Sequence, residues 1–173
     1  MSFLFSGKPG FSEEKVQTYF EHSIKSYIVG YWVEDKSRRN NFEVFLSKLK
    51  TDIDVNETKY SPFDWESEKV IYLDDNLLTI NEVRPNAKVL EWKVLLNNDT
   101  QAKIDIELIG VFSNAIARMS NDSITLYVFR PSSREILLTI SYTMDPEDTN
   151  ILHVTYEHIA SKTSCSFLFN RKI

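Results

Sequence analysis

A carboxylate and an imidazole stand side by side near the C-terminus, in Tyr156-Glu157-His158. Either group can donate or accept protons when it faces a cavity. In a strand, alternation puts Tyr156 and His158 on one face and Glu157 on the other. If the more apolar face is the interior, Tyr156 and His158 face a ligand. If the opposite face lines the pocket, Glu157 is the inward, catalytic carboxylate, and periodicity leaves both interpretations open.

Four other side chains have positions that suit ligand binding. Trp92 lies on the apolar face of a predicted strand, and Trp65 lies just before the sheet, where an aromatic ring can close the mouth of a cavity. Arg84 and Arg130 follow strands, and a guanidinium there can pair with a ligand carboxylate through two hydrogen bonds. We therefore predict these four side chains as ligand contacts.

The histidines do not form a metal-binding pattern. His153 and His158 are separated by an odd number of positions in one predicted strand, so they point to opposite faces, and His22 lies far away in the chain. The chain also lacks a G-x-S-x-G nucleophile motif, a phosphate-binding glycine loop and a dinucleotide fingerprint. We expect no metal site, and the commonest hydrolase and nucleotide-dependent classes are disfavoured.

The elements that must position these residues are antiparallel strands. From Val70 onward, apolar and polar residues alternate in segments that are separated by turn signals. Eight such segments are enough to close into a barrel, whose interior side chains can fill or a small ligand can occupy. The predicted strands are Val70–Leu73, Leu77–Val83, Val89–Leu95, Lys103–Val111, Ser123–Phe129, Glu135–Thr143, Ile151–His158 and Thr163–Phe169.

The first part of the chain indicates helices. Ser12 can cap a helix with an apolar face that ends at Gly30. Tyr31–Val33 can form a short strand, and apolar residues in Phe42–Leu49 follow helical spacing, with a partial strand alternation as the alternative. The segment Phe112–Asn121 is irregular and suggests a helical turn or a lid over one barrel end.

Composition limits the function classes. The 173 residues carry 20 Lys and Arg against 25 Asp and Glu, a net charge of −5, so no basic field favours nucleic acid. The single cysteine, Cys165, fits a reducing compartment, and we see neither a signal peptide nor a membrane-spanning segment. We expect one cytoplasmic domain, residues 1–173, with a helical segment at 1–50 and an antiparallel meander at 70–173, and no membrane partner.

Short motifs resemble a known group of barrels. The early Gly30-Tyr31-Trp32 resembles the G-x-W signature of calycins, which include lipocalins and fatty-acid-binding proteins. The closing segments resemble those of S-type phycobiliprotein lyases, namely Tyr142-Thr143-Met144-Asp145, Val154-Thr155-Tyr156-Glu157 and Phe167-Leu168-Phe169. The resemblance implies that Trp32 contacts an open-chain tetrapyrrole, that Glu157 orients its ring nitrogens, and that the chromophore passes to an acceptor protein. An algal source would place such a protein in the plastid stroma.

We predict a mainly β fold, an up-and-down antiparallel barrel with one or two N-terminal helices. The alternative is an α+β fold with helices packed on a curved antiparallel sheet. The predicted function is binding or delivery of a small apolar or conjugated ligand, in the finer version as a bilin lyase or chaperone. A small α+β enzyme of the cyclase or isomerase type with an acidic cavity, and a non-enzymatic interaction module with a filled core, are the alternatives.

Overall fold

A computed structural model describes residues 24–54, 68–83, 89–106 and 111–173 of the chain. Within these ranges two α-helices, one 3-10 turn and ten β-strands are present. The helices are α1 (Ile24–Tyr27) and α2 (Phe42–Asp52), and the 3-10 turn is Lys36–Arg38. The strands are β1 (Gly30–Glu34), β2 (Glu68–Asp74), β3 (Leu77–Val83), β4 (Val89–Leu95), β5 (Asn98–Ile106), β6 (Val111–Met119), β7 (Ser123–Phe129), β8 (Ile136–Met144), β9 (Ile151–His158) and β10 (Thr163–Arg171).

The strands form one antiparallel sheet that curves into a near-closed barrel. Its hydrogen-bonded order is β4-β3-β2-β1-β10-β9-β8-β7-β6-β5. The two terminal strands of this order, β4 and β5, follow each other in the chain, and the short link between them bonds back to the sheet, since the amide of Asn97 donates to the carbonyl of Ala117 over 2.9 Å. The predicted mainly β barrel with N-terminal helices is confirmed, and the alternative, an α+β fold with helices packed on a curved antiparallel sheet, is wrong.

The barrel has more strands than the eight predicted for the meander. One additional strand is β1, which the short apolar segment after Gly30 had suggested. The other is β6, where we expected a helical turn or a lid, and that expectation was wrong. Its inward residues Ser113, Ala115 and Ala117 are small and its outward residues are partly apolar, so the alternation is weak in the sequence. The predicted strand Lys103–Val111 corresponds in part to β5, which begins earlier, at Asn98, and ends at Ile106.

Helix α2 follows the predicted helical spacing, and the strand alternative for this segment is wrong. Its buried face comprises Phe42, Phe45, Leu46 and Leu49. The ring of Phe42 meets Phe167 edge to face at 5.4 Å, and the ring of Phe45 meets Tyr156 at 5.9 Å. The helix therefore packs on β9 and β10. Most of the predicted first helix, residues 12–23, lies outside the described residues.

The turns use residue types that tolerate a left-handed backbone. Asp75, Asn97 and Ser132 have φ values of 54°, 55° and 59°, in the region that Asn and Asp occupy more easily than most residues. Each of the three lies between two of the predicted strands. None of the helices in the described ranges has the length and apolarity to span a membrane.

Register pairs show that one face of the sheet is continuous around the barrel. In β9 and β10, Tyr156 lies opposite Cys165 and Val154 opposite Phe167, and all four are buried. Alternation carries the same buried face across the neighbouring strands. The barrel interior is therefore mostly apolar, and the charged side chains on this face are exceptions that need an explanation.

Candidate functional site

A charged cluster lies on the inner wall formed by β2, β3 and β4. Lys69 is fully buried, and Glu82 opposite it in the register is 7% exposed. The Nζ of Lys69 lies 3.4 Å from Oε2 of Glu82, and the indole Nε1 of Trp92 donates to the same oxygen over 3.4 Å. The Nζ of Lys69 also lies 5.5 Å from the centre of the Phe169 ring, which allows a cation–π contact. These contacts place an ion pair inside an apolar barrel.

A second buried carboxylate belongs to Glu34 at the end of β1. Arg39 donates two hydrogen bonds to this carboxylate, from Nε over 2.9 Å and from Nη2 over 2.7 Å. The guanidinium lies 5.2 Å from the ring centres of both Phe42 and Phe167. Arg39 therefore neutralises Glu34 and joins the start of α2 to β1 and β10.

The far end of α2 is fixed by ionic contacts. The carboxylate of Asp52 accepts hydrogen bonds from Arg130 over 2.6 and 3.1 Å and lies 2.7 Å from Nε2 of His158. The other ring nitrogen of His158 contacts the hydroxyl of Ser161 at 2.7 Å. Hydrogen bonding by Arg130, together with His158, lowers the pKa of Asp52 below its usual value against the opposing effect of burial. This cluster ties α2 to the ends of β7 and β9.

The opposite end of the barrel depends on Arg171 in β10. Its guanidinium stacks over Trp32 at 4.3 Å and donates to the carbonyl oxygens of Tyr27 and Val29. The side chain also reaches the β8–β9 turn, where it donates to the carbonyl of Thr149. Glycine is favoured at position 30, because its φ of 154° is one that other residues rarely adopt and a Cβ would also displace the guanidinium. Arg171 thus joins the segment after α1 to the C-terminal strand.

The predicted site residues fall into separate groups. Trp32 and Trp92 face the interior on either side of the Lys69–Glu82 pair, since Lys69 lies opposite Trp32 in β1. The indole Nε1 of Trp32 donates a hydrogen bond to the carbonyl oxygen of Ile28 over 2.8 Å. Trp65 and Arg84 lie outside the described residues.

The remaining predicted residues gather at the α2 end. Tyr156 and His158 are buried against α2, whereas Arg130 binds the protein's own Asp52. Glu157 is exposed, so the interpretation that made it an inward carboxylate is not supported by its position. Glu157 lies on the outer face of β9 because the apolar residues that alternate with it face the interior.

The sequence interpretation did not select the charged residues that do face the interior. Lys69 lies two positions before the buried Ile71 in β2, and Glu82 lies two positions after the buried Ile80 in β3, so each shares the inner face with an apolar neighbour. This alternation was the sequence signal that could have identified them. Among the described residues, no three His, Cys, Asp or Glu side chains gather closely enough to hold a metal ion.

Comparison with known proteins supports the fold. No protein-family model matches the chain, and no curated protein matches it by sequence. Solved structures do match, among them the REP1-NXSQ fatty acid transporter, with a TM-score of 0.64 and 10% identity, over 84% of this chain and 96% of the transporter.

Two further structures give the same result. Fatty-acid-binding protein 1 of Echinococcus granulosus matches with a TM-score of 0.61 and 10% identity, over 85% of this chain and 98% of its own. The apo form of lipid binding protein 8 from Caenorhabditis elegans matches with a TM-score of 0.58 and 12% identity, over 84% and 96%. At such low identity the likeness shows the fold alone, a calycin-like barrel.

Proposed function

We propose that this protein is an intracellular carrier that holds a small apolar ligand inside its barrel. The observation that carries the proposal is the Lys69–Glu82 pair with Trp92 on an otherwise apolar inner wall. Buried ion pairs rarely stabilise a core more than apolar side chains of the same volume would. Ligand sites, by contrast, combine an apolar lining with a few placed polar groups.

Three further observations agree with an intracellular carrier. Glu82 and Trp92 lie on the inner face and are 7% and 8% exposed, so neither side chain is sealed completely from solvent. The three structures named above are called a fatty acid transporter, a fatty-acid-binding protein and a lipid binding protein. A single cysteine, buried in β10, fits a reducing intracellular compartment.

The bilin version of the carrier is a narrower prediction with less support. Its chemistry needs an inward carboxylate to orient the pyrrole nitrogens, and the described carboxylates inside the barrel are Glu34 and Glu82, both beside cations. An open-chain tetrapyrrole whose absorption is unchanged by the protein would contradict it. Transfer to an acceptor protein depends on that same result.

The carrier function is tested with delipidated protein and a neutral, environment-sensitive dye. We expect saturable binding at one site, a blue shift of the dye, displacement by long-chain lipids, and energy transfer from the tryptophans. Trp92→Phe should reduce the transfer, because Trp92 lies on the proposed wall.

The matched control is Val44→Ser, which removes an exposed apolar side chain from the outer face of α2. It should leave the dye affinity unchanged, because a barrel ligand does not touch that face. Absence of saturable binding to the delipidated protein would contradict the carrier function and favour an interaction module with a filled core.

A further inference from the structure

We infer that the hydroxyl of Ser161 is a nucleophile that accepts an acyl group from an activated acyl donor, such as an aryl ester or a thioester. Ser161 lies exposed in the turn between β9 and β10. Its Oγ lies 2.7 Å from Nδ1 of His158, and Nε2 of the same ring lies 2.7 Å from Oδ2 of Asp52. A serine beside an imidazole that a carboxylate orients is the arrangement that activates a hydroxyl for attack on a carbonyl carbon.

The contacts of His158 fix which ring nitrogen carries the proton. Arg130 donates two hydrogen bonds to Asp52 and lowers the pKa of Asp52, so this carboxylate is ionised at neutral pH and can only accept hydrogen bonds. The Nε2 of neutral His158 therefore carries the proton and donates to Asp52, which leaves a lone pair on Nδ1. The hydroxyl of Ser161 donates to that lone pair. In this tautomer the imidazole can take the serine proton.

The two ring nitrogens have exchanged roles relative to the serine protease triad, in which the serine bonds Nε2 and the aspartate bonds Nδ1. The exchange does not prevent the chemistry, because either nitrogen of a neutral imidazole accepts a proton when the other one carries the hydrogen. His158 is thus placed to act as the general base, and Asp52 is a positioning residue that holds the ring in this tautomer.

Exposure along the cluster suits a reaction at the surface. Ser161 is exposed, so an acyl donor reaches its Oγ from solvent. His158 is 2% exposed, so bulk water does not replace Ser161 as the partner of the ring. Arg130 also lies 3.2 Å from Glu135 through its Nε. Because Arg130 is shared between two carboxylates, Asp52 keeps part of its charge to stabilise the imidazolium that forms.

The transfer step needs only these groups and the donor. Oγ of Ser161 attacks the carbonyl carbon of the donor, and its proton passes to Nδ1 of His158. As the bond from that carbon to the leaving oxygen or sulfur breaks, the leaving group keeps the electron pair and takes the proton from His158. The products are an acyl ester of Ser161 and a free phenol or thiol. Aryl esters and thioesters suit the site because their leaving groups depart more easily than an alkoxide or an amine.

The experiment incubates the full chain with p-nitrophenyl acetate at neutral pH and follows the acetylation of individual serines by tandem mass spectrometry. We expect Ser161 to be acetylated at least about 100-fold faster than Ser37. Ser37 is the internal control because it is also exposed, but its hydroxyl donates to the carboxylate of Asp35 over 2.6 Å. A carboxylate is a much weaker base than an imidazole. Ser161→Ala should abolish the fast release of p-nitrophenol, and Ser37→Ala should leave it unchanged.

Substitutions of the two partners test their roles. His158→Asn keeps a polar group beside Ser161 that cannot take up a proton, so acetylation of Ser161 should fall by about 100-fold. Asp52→Asn should slow it by about tenfold or more. Asp52→Glu retains a carboxylate and should recover part of the rate, which a loss of packing alone would not predict. Circular dichroism checks folding, and the comparison of Ser161 with Ser37 in the unaltered protein decides if a variant does not fold.

Each outcome decides a different point. Equal acetylation rates of Ser161 and Ser37 in the unaltered protein would overturn the inference, whether or not the barrel binds a ligand. Undiminished acetylation of Ser161 in folded His158→Asn would overturn the role of His158 as the base. Equal rates in Asp52→Asn, Asp52→Glu and the unaltered protein would overturn the positioning role of Asp52.

Discussion

The two ends of the barrel are held by different chemistry. At the α1 end, Arg171 stacks on Trp32 and donates to backbone carbonyl oxygens. At the α2 end, Asp52 binds Arg130 and His158. Carbonyl oxygens are uncharged at any pH and a guanidinium stays protonated, whereas the carboxylate of Asp52 loses its charge in acid. Contacts at the α1 end are therefore constant, and those at the α2 end depend on solution conditions.

Packing differs between the ends as well. Helix α2 meets the sheet through aromatic edges, with Phe45 against Tyr156 and Phe42 against Phe167. The segment that begins with α1 buries aliphatic side chains, Ile24 and Ile28, and its backbone joins the sheet where the amide of Ile24 donates to Asn121 over 2.9 Å. A planned substitution can therefore weaken one end and leave the other unaltered.

The largest expected effect comes from removing the aromatic contact of α2. Phe45→Ala should destabilise the protein by about 3 to 5 kcal/mol, because the ring is fully buried and leaves a cavity beside Tyr156. Urea unfolding measures the change. Val44→Ala, on the exposed face of the same helix, should cost less than about 0.5 kcal/mol. Equal effects of the two substitutions would show that α2 does not depend on its inner face.

A smaller effect is expected at the α1 end. Arg171→Met keeps the length and apolar stem of the side chain but removes the donors to Tyr27 and Val29. Loss of charged hydrogen bonds and of the contact with Trp32 should cost about 2 to 3 kcal/mol, a destabilisation that stays constant from neutral to mildly acidic pH.

The matched control for the α1 end is Arg118→Met. Arg118 is a half-exposed arginine on β6 that pairs with the almost fully exposed Asp99 and donates to the carbonyls of Asn98 and Ala117. Contacts of a charged group that water still reaches contribute little. Thermal unfolding compares the two variants. A cost for Arg171→Met no larger than that for Arg118→Met would contradict the importance of the carbonyl contacts.

The sequence predicts features that depend on neighbouring residues better than contacts between residues far apart in the chain. Alternation of apolar residues predicted most strands, because the side chains of a strand point to its two faces in turn. It missed β6, where small inward residues such as Ala115 carry little apolar signal. The helix that begins at Phe42 was predicted from local spacing, since its buried face is encoded within the segment itself.

The candidate site was less accessible to sequence reasoning. The alternation of β3 puts Glu82 on the same face as Ile80, a signal that the sequence interpretation did not use, and the contact of Glu82 with Lys69 follows only from the pairing of β2 with β3. Asp52 and His158 are 106 positions apart, and no local pattern predicts that contact. Glu157, by contrast, was conspicuous in the sequence beside Tyr156 and proved to be exposed.

The smallest and most specific effect concerns the charge of Asp52. Hydrogen bonds from Arg130, and secondarily from His158, lower the pKa of Asp52 in the folded protein below its ordinary value of 3.8. A carboxyl with a depressed folded pKa contributes stability that is present above the unfolded pKa and is lost as pH falls through the folded pKa. The contribution should therefore be constant from neutral pH down to about pH 5 and decline below about pH 4.

Asp52→Asn tests this dependence, because the amide keeps the shape but cannot carry the charge. We expect a loss of about 1 kcal/mol at neutral pH and a shallower decline of stability in acid than in the unaltered protein. Asp145, whose pKa His153 lowers by a hydrogen bond, should still give the variant some acid dependence. Asp74→Asn, an exposed carboxylate at the end of β2, serves as the control and should leave the acid decline unchanged. Urea unfolding at a series of pH values gives the stability of all three proteins. If the stability of Asp52→Asn and that of the unaltered protein fall in parallel as the pH decreases, the contacts of α2 with Arg130 and His158 do not depend on the charge of Asp52.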